Sequence, residues 1–149
     1  ETLKRVLDAS GRSLSGGVIG VFANATGPKL QSPSWWASVL DVLERRYPQT
    51  AFVEIVPAFA RSMLRERYPM FYCSNLRRLA GLLSQLSLFV STDCGVMHLA
   101  CASGTPVTGI FTVTDSSEWG PYGPHDCVID ASELSPECVA NRITIPFYG

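Results

Sequence analysis

One feature limits what this chain can fold into more than any other: an alternation. Short, continuous apolar runs recur along the sequence as VIGVFAN from Val18, AFVEIV from Ala51, MFYC from Met70, LFVST from Leu88, PVTGIF from Pro106 and CVID from Cys127. A short run without polar alternation is what a strand buried on both faces requires. Amphipathic stretches of helical length separate most of them. Ser32 and Pro33 supply a cap and a first-turn proline for a helix to about Tyr47, with Trp36, Val39, Leu40 and Leu43 on one face. Pro48 stops it. A short helix is predicted near residues 58–67. Ser74 is placed to cap another over 75–85, with Leu76, Leu79, Leu82, Leu83 and Leu86 as its apolar face. Further short helices are predicted at 96–102 and 135–141.

Strand and helix alternate about six times. The expected fold class is therefore α/β, a Rossmann-like doubly wound parallel sheet of about six strands. Hydrophobic residues make up 46% of the 149, enough for one core, so residues 18–141 are read as one domain. Residues 1–17, with a helical stretch at 1–9 and the linker SGRSLSGG, read as a lead-in. Residues 142–149 read as an extended tail.

Other classes fall away on composition. The net charge is −1 and no lysine or arginine cluster forms, which argues against nucleic acid. Arg61, Arg65 and Arg67, like Arg77 and Arg78, read as solvated helix faces. No apolar run approaches the ~18 residues of a transmembrane segment. The chain opens at Glu1 with no signal-peptide pattern and is expected to be cut from something longer. Five cysteines without CxxC spacing suit reduced thiols in a cytosolic setting.

In such sheets ligands bind at the carboxyl ends of the strands. The loops that matter are thus 24–31, 57–58, 73–74, 92–95 and 112–122. The stretch STDCGVMH is the richest. Gly95 permits close backbone approach, and the free N–H groups of the following helix form an anion site. Asp93 either faces a ligand as an acceptor for sugar hydroxyls or only caps the helix. His98 either reaches a phosphate from the first turn or is a core histidine. Lys29 can meet a diphosphate from the opposite wall, or is solvated. There is no Walker loop and no GxGxxG fingerprint, which counts against NAD or FAD. His125, Asp126 and Cys127 are adjacent, a poor metal geometry.

Together these residues resemble glycosyltransferase family 9, the ADP-heptose:lipopolysaccharide heptosyltransferases, in its C-terminal half. That half carries a D-T-G-x-x-H-L-x-A-A-x-G-x-P signature, and TDCGVMHLACASGTP stands in its place here. Upstream, NLRRLAGLLSQLSLFV is similar to the family's SLRELAALIARADLVV without a gap. FTVTDSSEWGPYG stands where the family has FGPTDP and a GPYG-like turn. Cys94 replaces the family's threonine or serine, Thr112 and Val113 replace Gly-Pro, and PSWW replaces a Trp-Pro.

The resemblance, across about residues 18–140, implies one half of a two-domain GT-B glycosyltransferase. It implies a nucleotide-diphosphate-sugar donor, with an ADP-sugar favoured. Asp93 would contact the sugar, while Thr92, Cys94 and Gly95 frame the sugar-diphosphate through their backbone. His98 would lie near the diphosphate and Lys29 would neutralise it. Asn24, Ala25 and the backbone at Cys73 and Ser74 would line the base and phosphate side. No metal and no other cofactor are implied, because helix N-termini and basic side chains serve the leaving diphosphate. The general base and the acceptor site, for a glycan or lipid-linked acceptor, belong to the family's N-terminal half. A full-length parent would transfer the sugar with inversion in the cytoplasm or peripherally at the inner membrane face. The alternative is a non-catalytic binding or interaction module that keeps the scaffold; Cys94 motivates it.

Overall fold

The computed structural model describes residues 17–24, 31–57, 60–73, 75–92, 95–111, 127–132 and 134–145. The lead-in helix at 1–9 and the loop at 112–122 lie outside them. Six strands form one sheet: β1 (Val18–Phe22), β2 (Ala51–Pro57), β3 (Met70–Cys73), β4 (Leu88–Thr92), β5 (Val107–Phe111) and β6 (Cys127–Asp130). Their order is β3-β2-β1-β4-β5-β6, and every neighbouring pair is parallel. The expected doubly wound sheet is therefore present.

Among the described residues four helices cover the sheet: α1 (Pro33–Arg46), α2 (Leu76–Leu83), α3 (Gly95–Ala102) and α4 (Pro136–Arg142). Strand side chains alternate between its two faces. Ile19, Val21, Phe52 and Val90 join a core with Trp36, Leu40 and Leu43 of α1 and Val139 of α4. Val18, Phe22, Val53 and Phe89 join the other, with Leu79, Leu82 and Leu83 of α2 and Met97 of α3. Burial on both sides explains why β1 shows no polar residue: all five of its positions are buried. It also explains Gly20. A Cβ there would meet Leu86 Cδ1 at 2.5 Å and Phe89 Cδ1 at 3.3 Å, so the middle of β1 is filled from its neighbour instead.

The ends of the helices follow their sequence signals. Ser32 Oγ accepts from Trp35 N at 3.1 Å and Pro33 opens α1. Ser135 does the same for α4 through Cys138 N at 3.2 Å. Gly104 ends α3 at φ +81°, and Thr105 N returns to the Ala100 carbonyl at 3.2 Å, the left-handed close that glycine permits. Thr105 Oγ1 then donates to the Leu83 carbonyl at 2.5 Å, capping the end of α2 and fixing the entry to β5. Arg46 reaches across to the carbonyls of Ala140 and Ile143, both at 2.8 Å, and holds the end of α4. Beyond α4, Ile143 and Ile145 are buried in the α1-side core.

Three expectations change. Asn75, not Ser74, caps α2: its Oδ1 accepts from Arg78 N at 3.0 Å, and Ser74 lies outside the described residues. Leu76 is not on the apolar face; at the first turn of α2 it is 72% exposed. The helix near 58–67 is absent among its described residues, 60–67. Arg65 and Glu66 take φ of 55° and 58°, a left-handed conformation that no right-handed helix accommodates. Arg61 and Arg65 are therefore not on a helix face. Arg67 is not simply solvated either, since it pairs with Asp41 at 2.6 Å and also with Glu44 of α1.

Candidate donor site at the sheet's carboxyl edge

Strand order reverses between β1 and β4. At that switch point the connections leave toward opposite faces and a crevice opens at the carboxyl ends. β1 and β4 are hydrogen-bonded neighbours, with Phe22 beside Ser91. Asn24 therefore follows one wall of the crevice and Thr92 ends the other. Thr92 is 1% exposed, and its Oγ1 donates to the Asn24 carbonyl at 3.2 Å. The hydroxyl thus ties the two strand ends together and is not directed at solvent.

α3 starts three residues past Thr92, at Gly95. Its first-turn amides have no partner within the helix, so they carry the partial positive charge of the helix end. His98 is half-buried in that turn, and no described residue hydrogen-bonds its ring. Asn24, Thr92, Gly95 and His98 are the sequence-selected residues that the description covers. They gather at the same edge of the sheet. Lys29, Ala25, Ser74, Asp93 and Cys94 lie outside the described residues, as does the Cys73 side chain. Among the described residues no group of three histidine, cysteine or acidic side chains is placed to hold a metal.

Two contributors at this edge were not selected from the sequence. Asn24 Nδ2 donates to the Arg61 carbonyl at 3.4 Å, so the β2–β3 connection leans on the end of β1. That connection is held from below by Glu54, a carboxylate with 0% exposure in the middle of β2. Ser62 Oγ donates to one of its oxygens at 2.5 Å and Met63 N to the other at 2.8 Å. Ser62 Oγ in turn accepts from Leu64 N at 3.2 Å and Glu66 N at 2.9 Å. Burial pushes the Glu54 carboxyl above its ordinary range, and the hydrogen bonds from Ser62 and Met63 offset this only in part. The available signal was a lone glutamate in AFVEIV, an otherwise apolar run.

The family described as glycosyltransferase family 9 (heptosyltransferase) matches residues 48–144. The chain belongs to glycosyltransferase family 9. Within it, the lipopolysaccharide core heptosyltransferase OpsX of Haemophilus influenzae is 35% identical over 60 residues, which are 40% of this chain and 17% of OpsX. A solved family-9 glycosyltransferase from Veillonella parvula superposes with a TM-score of 0.73 at 18% identity, over 99% of this chain and 45% of that one. Heptosyltransferase WaaC of E. coli, solved with ADP, gives 0.69 at 20% identity, over 93% of this chain and 47% of that one. A second WaaC structure, with ADP-2-deoxy-2-fluoro heptose, gives 0.64 at 21% identity over 93% and 46%. At these identities the solved structures establish the fold. The chain spans less than half of the solved proteins it matches. The family match begins at residue 48, so Asn24, Ala25 and Lys29 lie outside it. No helix among the described residues is long and apolar enough to cross a membrane.

Proposed function

We propose that this domain binds the donor of a family-9 glycosyltransferase, a nucleotide-diphosphate sugar of the ADP-heptose kind. The observation that carries the reading is the switch point itself. The ends of β1 and β4 are tied by the Thr92–Asn24 hydrogen bond, and the first turn of α3, whose amides have no partner within the helix, begins three residues further on. A diphosphate suits that place, because helix N-termini bind anions and need no metal to do so. WaaC, of similar fold, has been solved with ADP and with an ADP-heptose analogue.

In this reading the amides after Thr92 and the His98 ring take the diphosphate, and Lys29 neutralises it from the loop after β1. Asp93 accepts from the sugar hydroxyls. Ala25 and Ser74 flank the base and phosphate side with Asn24. Cys94 contributes backbone only, since a thiol is a weak donor. In the complete enzyme an acceptor hydroxyl attacks the anomeric carbon. Its proton passes to a base on the other domain, the bond to the diphosphate oxygen breaks, and the configuration inverts. The acceptor is a lipopolysaccharide-type or related glycan, and the setting is the cytoplasm.

Calorimetric titration with ADP, UDP and GDP tests the reading, with ADP expected to bind. Folded protein that binds none of them overturns it. Lys29→Ala should weaken ADP and ADP-sugar alike, by roughly tenfold for a lost charge-assisted contact. Asp93→Ala should weaken the ADP-sugar more than ADP. Equal losses on both ligands contradict the sugar contact.

A further inference from the structure

The β2–β3 connection is fixed at the carboxyl edge without a helix among its described residues, 60–69. Side chains anchor it along its length. Glu54 holds Ser62 and Met63. Leu64 and Tyr68 are buried, with Tyr68 stacked on Phe52 at 5.0 Å between ring centroids. Arg67 is paired with Asp41 and Glu44. The backbone of Arg61 is therefore held where Asn24 Nδ2 meets its carbonyl, on the β1 side of the switch point. A continuous chain of contacts runs from Arg61 through Asn24 to Thr92, and α3 begins just beyond.

The two arginines of this segment behave differently. Arg67 spends its guanidinium on two carboxylates. Arg61 is exposed, and no described carboxylate pairs with it. A guanidinium presents a planar fork of donors matched to phosphate oxygens and stays charged at any working pH. An exposed guanidinium with no carboxylate partner among the described residues has its donors available for such oxygens, and the anchored backbone fixes where that side chain starts.

We infer that Arg61 is a donor-binding residue of this site, a cation for the phosphates of the nucleotide supplied from the β2–β3 connection. The inference rests on the donor-site reading above. In that arrangement the diphosphate lies between the α3 amides on the β4 side and Arg61 on the β1–β2 side. The Glu54 clamp keeps the arginine in place, and the role differs from that of Lys29 because a different connection delivers it.

The test is calorimetric titration of the whole chain with ADP, UDP and GDP and with the matching nucleosides, for wild type, Arg61→Ala and Arg61→Lys. Arg61 is exposed, so both variants should melt as the wild type does. Arg61→Ala is expected to weaken the best-bound diphosphate by roughly tenfold and leave its nucleoside unchanged. Arg61→Lys, which keeps the charge and loses the fork, should recover part of the loss. Unchanged diphosphate affinity in Arg61→Ala overturns the role of Arg61 and leaves the donor site standing. An equal loss on diphosphate and nucleoside also overturns it. A wild-type chain that binds none of the three diphosphates overturns the donor-site reading and this inference together.

Discussion

Trp36→Ala should lower stability by about 3–5 kcal/mol, the largest loss expected from any single substitution considered for this domain. Trp36 has 0% exposure and lies in the α1-side core with Ile19, Val21 and Leu40. Trp35 meets it edge-on at 5.1 Å. Truncation removes the packing and leaves a cavity under the first turns of α1, the helix that leaves the switch point. A domain of this size holds only about 5–15 kcal/mol in total, so the melting temperature should fall by roughly 10 °C or more. The conservative variant sharpens the test. The buried indole N–H has no hydrogen-bond partner among the described residues, so Trp36→Phe gives up no hydrogen bond and removes an unsatisfied donor. It should cost far less than alanine. Equal losses for Phe and Ala, by thermal or urea melts, would show that the N–H carries the residue's role.

Glu54 supplies the second large effect, and a pH dependence of definite sign. Glu54→Ala strips the acceptor from Ser62 Oγ and Met63 N and should cost about 2–3 kcal/mol. Glu54→Gln separates charge from shape. Burial holds the folded-state pKa of Glu54 above its ordinary value of 4.5. Folding therefore favours the protonated carboxyl. The stability this contributes is complete below the unfolded-state pKa and is lost as pH rises through the raised folded-state value. Glutamine does not titrate. The melting temperature of wild type relative to Glu54→Gln should consequently fall as pH is raised from below 4.5 into the neutral range. A difference that stays flat, or that grows with pH, would contradict burial as the dominant influence on this carboxyl.

Glu54 also marks where reading the sequence fell short. Residues 58–67 carry a helical composition, and a helix was the natural expectation. The buried carboxylate instead draws Ser62 and Met63 toward β2, while Arg65 and Glu66 turn left-handed. A contact eight or nine residues back along the chain outweighed local propensity, whose differences are under about 1 kcal/mol per residue. The arginines of that stretch could not be sorted from the sequence for the same reason. Arg67 pairs with α1 and Arg61 comes to rest beside Asn24, and neither partner is near in sequence. Leu76 shows the opposite limit. Its spacing fits the apolar face of α2, yet it sits at a helix start beside the end of β3 and stays exposed. The candidate site was legible as a place, where Thr92 ends β4 and Gly95 starts a helix. TDCGVMH marks the start of α3, and the family signature overlies the same residues.

By itself the sequence determined the alternation of doubly buried strands and capped helices, and with it a parallel sheet. These are properties of short windows: apolar runs, Ser-Pro starts and a Gly-Thr-Pro stop act within a few residues. Only the tertiary structure decided which strands are neighbours at the crevice, that Thr92 spends its hydroxyl on Asn24, and that a clamped, non-helical connection delivers Arg61 there. Those outcomes rest on contacts between residues as much as 68 positions apart. No local pattern encodes them, because they follow from how two packed layers settle on one sheet.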